Sequence, residues 1–455
     1  MPAFLHFPPM KTTAQIAAEL QGYDPDALRA ADVGTFLERL VEPVTETQEI
    51  SLFDALGRVL ARDVVSPISV PPHDNSAMDG YAFAGAQRAA GQPLTLRVVG
   101  TALAGRAWAG RVAAGECVRV MTGAVMPAGL DTVVPQEFTT ARDGQVTIAA
   151  DVPLRPGANR RLKGEDLMQG RVALARGEPL MPAALGLLAS LGLQTVMVVR
   201  RLRVAYFSTG DEILSLGEPP REGAVYDSNR HALRGLLTRL GVEVIDLGVV
   251  RDDPTQLEAT LREAAARADA IVTSGGVSAG EADHTRTMMK KLGDVAFWRI
   301  AMRPGRPMAV GRIAAPEIQA KSASSAYPSS ASSYQNHTGA MLFGLPGNPV
   351  AVMVTFLAFV RPALLRMMGS TRPAPPLLRA VAASPLRKKP GRTEYQRGIV
   401  TAEPDGTLRV RTTGSQGSGV LSSMVHANGL IVLGHDQGDV AAGDAVDVML
   451  FDGAI

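Results

Sequence analysis

Cysteine is almost missing from this chain: Cys117 is the only one among 455 residues. A single thiol excludes an intrachain disulfide framework and any metal site built from several cysteines. Its neighbours Val118, Val120 and Met121 predict a buried, inert thiol. Excess charge of either sign is missing too. Forty-six Lys and Arg stand against 44 Asp and Glu, a net +2, which leaves no electrostatic footprint for nucleic acid. No run of about eighteen apolar residues occurs, so no membrane-spanning helix is expected. Residues 1–9 hold no basic segment followed by an apolar run, which predicts no signal peptide. No internal repeat is evident. The remainder is an ordinary globular composition, 46% hydrophobic and 20% charged, and it points to a cytoplasmic enzyme. A chain of this length exceeds one core, so about three domains are expected.

Residues 1 to about 30 read as a loosely held extension. Glu38 to Val70 reads as helix and connector, with Leu52, Leu56, Val59 and Leu60 at helical spacing and Pro67, Pro71 and Pro72 breaking it. From 73 to 164, short β-rich runs (94–99, 117–121, 131–135 and 145–148) alternate with glycine turns, the pattern of a small lobe made largely of strands. An apolar helix over 181–191 leads into a strand over 195–199.

Residues 203–368 change character. Strands at 204–207, 242–250 and 270–273 alternate with helices at 233–240 and 255–268, the βαβ pattern of a parallel, doubly wound sheet. Such sheets bind ligands beyond the carboxyl ends of their strands. Three polar clusters fall at those ends: Ser208-Thr209-Gly210-Asp211-Glu212, Arg251-Asp252-Asp253, and Ser274-Gly275-Gly276-Val277-Ser278-Ala279-Gly280-Glu281-Ala282-Asp283-His284-Thr285. The last is the most informative. Its glycines free the backbone to approach a ligand, and Ser274 and Ser278 join the freed N–H groups in holding an anion. Glu281 and Asp283 then place carboxylates beside that nest, which suits a cation or a transferred proton between them. A bare strand-to-helix turn needs less.

Arg303-Pro304-Gly305-Arg306-Pro307 sets two guanidiniums in a stiffened loop, a frame for oxyanions; a solvated basic loop is the plainer reading. Leu345-Pro346-Gly347-Asn348-Pro349 opens a long apolar helix at 350–368, whose N-terminus adds partial positive charge to the same rim. Pro71-Pro72-His73-Asp74-Asn75-Ser76-Ala77-Met78-Asp79-Gly80-Tyr81-Ala82 is dense in polar groups. A turn explains its Asp, Asn and Ser, but not the prolines with Met78 and Tyr81. His73 reads as a hydrogen-bonded loop histidine or, less simply, a metal ligand. Residues 319–338, rich in Ser and Ala, read as a surface insertion. After the linker Pro373-Ala374-Pro375-Pro376, alternation at 408–410 and 446–450 and a turn at Asp405-Gly406 predict a small barrel or sandwich.

These segments, with Thr122-Gly123-Ala124, Gly164-Glu165-Asp166 and Tyr226-Asp227-Ser228-Asn229, occur in an order that closely resembles the MoeA family, the molybdopterin molybdenumtransferases, which include the corresponding part of gephyrin. The resemblance runs from about residue 31 to the end. It implies a multidomain α/β protein with a central doubly wound, mostly parallel sheet, an N-terminal mixed α+β region with a β-rich lobe, and a small C-terminal β-barrel. The boundaries it suggests are 1–30 for an extension, 31–66 with 165–197 for a helical linker and dimerisation region, 67–164 for the lobe, 198–372 for the molybdopterin-binding domain and 373–455 for the barrel.

The implied activity is insertion of molybdate into adenylyl-molybdopterin, with Mg²⁺-dependent hydrolysis and release of AMP. The implied assembly is a homodimer whose active site is shared between subunits. Carried over by motif, Asp79 and Thr122 come from the partner subunit, and Glu212, Asp252 and Asp283 form the catalytic and Mg²⁺-handling acidic group. Ser274, Gly275, Gly276 and Ser278 cradle the pterin phosphate. Arg303, Arg306, Pro307, Arg397 and Ser418 line the molybdate path, and Pro346, Gly347, Asn348 and Pro349 complete the substrate-binding set. Arginine stands at 299, 303 and 306 where many relatives have lysine, and Ala351 where relatives often have serine. A molybdopterin adenylyltransferase and molybdoenzyme maturation proteins are the expected partners, with no nucleic acid and no membrane. Two alternatives remain at this stage: the adenylyltransferase that acts one step earlier, and a non-catalytic scaffold on the same fold. Molybdate and tungstate carry the same charge and are not separated by these residues.

Overall fold

The computed structural model describes residues 11–89, 91–277, 282–315, 339–372 and 376–452, without the side chains of 282–285. The central sheet has six strands in the order Glu243–Val250, Arg203–Thr209, Ala270–Ser274, Ala340–Leu345, Pro307–Ile313, Gly293–Arg299. The first four run parallel; Pro307–Ile313 runs antiparallel to both its neighbours, so Gly293–Arg299 again points the same way as the first four. Every residue of Ala270–Ser274 and Ala340–Leu345 is buried, as strands covered on both faces require. Alternate side chains divide between two cores. Val204, Tyr206, Val272 and Phe343 face the helices Ser228–Leu240 and Pro349–Met367. Ala205, Phe207, Ile271 and Leu342 face Pro254–Arg267 and Ala282–Leu292.

Pro349–Met367 bears on the membrane expectation. With 19 residues and a mean hydropathy of 1.8 it is long and apolar enough to cross a membrane, yet 67% of its most apolar stretch is buried inside the protein. Its apolar surface is spent on the sheet, with Val350, Val352, Val354 and Phe356 fully inside.

The N-terminal stretch also departs from expectation. Residues 11–28 are not a loose extension but fold against the far edge of the central sheet. Thr12 and Gln15 form a capping box at the start of the helix Thr13–Glu19. The Thr13 backbone N–H and hydroxyl both donate to the Asp294 carboxylate, at 2.6 and 2.5 Å. Ile16 and Leu28 are buried, and the indole of Trp298 donates to the Tyr23 hydroxyl at 2.9 Å while packing edge-on against Phe36. The anchors lie some 280 positions away in sequence, beyond any local signal. The helical spacing at 52–60 misleads for the same reason. Thr47–Ser51 is a strand paired antiparallel with Thr195–Val199, followed by one short turn at Leu52–Asp54. Phe53 and Leu56 are left exposed there.

The lobe is a six-stranded sheet in the order Thr132–Pro135, Gly80–Phe83, Glu116–Val120, Leu94–Ala102, Gln145–Ile148, Thr139–Arg142. Cys117 lies in its core, and burial pushes the thiol up to about 12, so it stays protonated and inert. At the other end, Leu378–Ala382, Thr393–Ala402, Leu408–Thr412, Gly429–Leu433 and Ala445–Leu450 close into a five-stranded barrel, since Thr393–Ala402 pairs with both Leu408–Thr412 and Gly429–Leu433. Met302–Arg303 pairs with Thr393 and Glu394, which joins the arginine loop of the central domain to the barrel. The insertion at 319–338 lies outside the described residues.

Candidate active site

A cleft of about 920 Å³ opens at the carboxyl ends of the four parallel strands. Each strand contributes the loop that follows it: Thr209-Gly210-Asp211-Glu212, Asp252-Asp253-Pro254, Ser274-Gly275-Gly276 and Gly347-Asn348-Pro349. Tyr226, Asp227, Ser228 and Asn229 form another wall, and Gly419 and Leu421 reach in from the barrel. Three helices, Ser228–Leu240, Pro254–Arg267 and Pro349–Met367, begin at this rim. Their N-termini direct partial positive charge toward the cleft.

The turn after Ala270–Ser274 is built for close approach. Gly275 has φ +93, and a Cβ there would sit 2.6 Å from the Thr209 carbonyl oxygen, so only glycine lets the two loops touch. Ser274 is buried, and its hydroxyl lies 3.0 Å from that of Ser208. Ser208 in turn donates to Asp227 Oδ1 at 3.0 Å. Ser278 lies outside the described residues. Asp283 falls at the start of the helix Ala282–Leu292, and its side chain is likewise outside the description.

Facing this turn is an acidic wall. Asp211 and Asp252 hold each other reciprocally, each backbone N–H donating to the other's carboxylate at 3.3 Å. Burial, reinforced by the negative charges of Asp211 and Glu212, keeps the Asp252 carboxyl above its ordinary value, although the Asp211 N–H opposes the shift. A carboxylate raised by like charges gains from a cation. Glu212 and Asp252 are hard oxygen donors of the type Mg²⁺ prefers. Among the described residues no three acidic, His or Cys side chains converge closely enough to hold an ion alone, so phosphate oxygens and water would complete such a sphere.

The cationic side lies beside the cleft, where the barrel meets the central domain. Arg397 is 1% exposed, yet among the described residues it pairs with no carboxylate. It donates to the Ser423 hydroxyl at 3.0 Å and to the Gly417 carbonyl at 3.0 Å. Burial, with the nearby charge of Arg303, pushes Arg397 down to about 10. Two guanidiniums close together without a counterion form a waiting anion site. The loop that Arg397 grips carries Ser418, whose carbonyl accepts from Val350 N–H at 3.1 Å, followed by the lining residues Gly419 and Leu421. Pro346 and Ser418 adjoin lining residues and Arg397 holds the loop that carries Ser418, while Arg303, Arg306 and Pro307 are not among the lining residues. Glu212, Asp252, Ser274, Gly275, Gly276, Gly347, Asn348 and Pro349 line the cleft.

Asp79 and Thr122 stand apart, in the lobe. Asp79 Oδ1 accepts from the Thr122 backbone N–H at 2.7 Å and its hydroxyl at 2.8 Å, which hold the exposed carboxyl below its usual range. They form a unit with each other, and neither lines the cleft.

Motif reading assigned no role to several lining residues. Asp227 caps the helix Ser228–Leu240, a visible signal, and Asp253 caps Pro254–Arg267. Gly419 and Leu421 carry no local sign, because only the docking of the barrel brings them here.

Comparison with known proteins agrees with this division. Three family profiles match end to end: the MoeA N-terminal region (domain I and II) over residues 28–192, a probable molybdopterin binding domain over 205–366, and the MoeA C-terminal region (domain IV) over 379–451. A molybdopterin molybdenumtransferase of Haemophilus influenzae is 40% identical over 417 residues, covering 91% of this chain and 96% of the relative. Molybdopterin molybdenumtransferase 2 of Mycobacterium tuberculosis is 36% identical over 420 residues, covering 90% and 95%. The crystal structure of the molybdopterin biosynthesis moeA protein from Pyrococcus horikoshii superposes with a TM-score of 0.76 at 26% identity, covering 93% of this chain and 100% of that one.

Proposed function

The chain belongs to the MoeA family, with a role in molybdenum cofactor biosynthesis, and from that premise we propose that it is the molybdopterin molybdenumtransferase that inserts molybdate into adenylyl-molybdopterin and releases AMP. The observation that carries this reading is one cleft in which carboxylates, a serine–glycine turn and three helix N-termini meet, with unpaired guanidiniums at its border. A nucleotide-linked pterin phosphate is anionic along much of its length, so the turn at Ser274-Gly275-Gly276 and the helix ends hold its phosphates. Arg397 and Arg303 draw in the molybdate dianion. Glu212 and Asp252, joined by Asp283, would hold Mg²⁺, which would supply charge neutralisation at the phosphoanhydride.

Asp79 and Thr122 act on the cleft of a second copy in a homodimer, a reading that suits a preorganised, exposed carboxylate that does not line the cleft of its own chain. The exposed Phe53, Val65, Met168, Val172 and Met181 of the linker region supply apolar surface for that pairing. The balanced composition fits a cytoplasmic setting, with the preceding adenylyltransferase and molybdoenzyme maturation proteins as partners.

Supplying adenylyl-molybdopterin, molybdate and Mg²⁺ tests the reading directly. AMP appears without added ATP if it holds. AMP formation that needs ATP and unadenylylated molybdopterin refutes it in favour of the adenylyltransferase.

A further inference from the structure

The Tyr226-Asp227-Ser228-Asn229 segment forms a wall of the cleft, and nothing above gives it a ligand. Asp227 is 4% exposed, and its Oδ1 is fully used, accepting from Arg230 N–H at 2.9 Å and from the Ser208 hydroxyl. Its Oδ2 is buried and has no hydrogen-bond partner among the described residues. Asn229 is 7% exposed; its Nδ2 donates to the Gly347 carbonyl at 2.6 Å, which leaves Oδ1 equally orphaned. A buried acceptor without a donor costs free energy that folding alone does not return. Two of them, two residues apart on one wall of the cleft, require a ligand that brings donors.

We propose that Asp227 Oδ2 and Asn229 Oδ1 form a paired-acceptor subsite for the donor–donor edge of a 2-amino-4-oxo pyrimidine ring, the pterin end of the substrate. The inference rests on the molybdopterin reading above and adds which wall holds the ring. A pterin presents its ring N–H and its exocyclic amino group side by side as donors. Adenine presents an amino donor next to a bare ring nitrogen, so one of the two acceptors would face another acceptor. The pair therefore selects the pterin end over the adenine end. Asn229 is held in place by its hydrogen bond to Gly347, a neighbouring residue of the cleft lining. Ser208 bridges this subsite to Ser274, so the ring and the phosphate it carries are held by one connected network.

The test uses the full-length protein, a pterin phosphorylated on its C6 side chain, the same compound methylated at the ring N–H, and AMP, with binding measured by calorimetry or fluorescence. Asp227→Ser keeps a capping oxygen for Arg230 but removes the free one. Asp227→Asn keeps the cap and turns a donor toward the ligand. Both variants should weaken the pterin by at least about tenfold and leave AMP within about twofold. The methylated pterin should bind the unmodified protein as weakly as the pterin binds the variants. If both variants hold the pterin as tightly as before, the proposal is overturned and the molybdopterin reading stands. A parallel loss of pterin and AMP also overturns it, since Asp227 would then only cap the helix. If the unmodified protein binds AMP but not the pterin, both fall.

Discussion

The central cleft and the β-rich lobe hold carboxylates in opposite states. In the cleft, Asp252 is raised by burial and by the neighbouring charges of Asp211 and Glu212, and Asp227 and Asn229 keep acceptors with no donor. In the lobe, Asp79 is exposed and depressed by two hydrogen bonds from Thr122. The first arrangement is incomplete until a cation or a ligand enters. The second is internally satisfied and lacks only something to face. One region is a container, and the other a preorganised carboxylate exposed on the surface of the lobe.

The sharpest way to break that contrast is Asp252→Asn, which removes charge without changing shape. AMP release should fall by about a hundredfold or more while the fold melts normally. A change below threefold would leave the acidic wall without a catalytic part.

Subunit mixing tests the other half. Homodimers carrying Asp79→Ala and homodimers carrying Asp252→Asn should each be inactive. Mixed after mild dissociation, they should recover up to about a quarter of normal turnover, because half the dimers then hold one intact shared site. No recovery under proven exchange would confine the site to a single chain.

On the cationic side, molybdate should raise the melting temperature of the unmodified protein, and Arg397→Met should abolish that shift, read by calorimetry at several molybdate concentrations. Equal shifts in both proteins would remove Arg397 from the anion path.

Gly305→Ala probes the arginine loop through its packing. Gly305 has φ +90, and a Cβ would meet Thr355 Oγ1 at 2.4 Å. The expected loss is about 1–3 kcal/mol in urea unfolding, with weaker molybdate binding as Arg303 and Arg306 shift. The smallest effect is assigned to Thr13→Val, which removes one of the two hydrogen bonds to Asp294 and should cost about 1 kcal/mol without altering turnover.

Much of this arrangement is legible in the sequence. The βαβ alternation over 203–368 led to a doubly wound sheet, and the rule that ligands sit beyond carboxyl strand ends located Glu212, Asp252 and Ser274 at one rim. The barrel followed from alternation and a turn. The helical reading of 52–60 failed because Thr47–Ser51 finds its partner about 145 residues later, and a spacing of apolar residues cannot reveal a distant strand. The loose extension failed likewise, since Asp294 and Trp298 anchor it from far along the chain.

Local sequence, then, determined the strands, the helix starts and the chemical character of each loop, because backbone preference and side-chain type act over a few residues. Which loops meet was decided by tertiary structure alone. Arg397 lies beside the cleft only because the barrel docks on Met302–Arg303, and Asp227 is left with an empty acceptor only because Ser208 and Arg230 claim its other oxygen. Such facts depend on contacts between distant segments, and no short stretch of chain carries them.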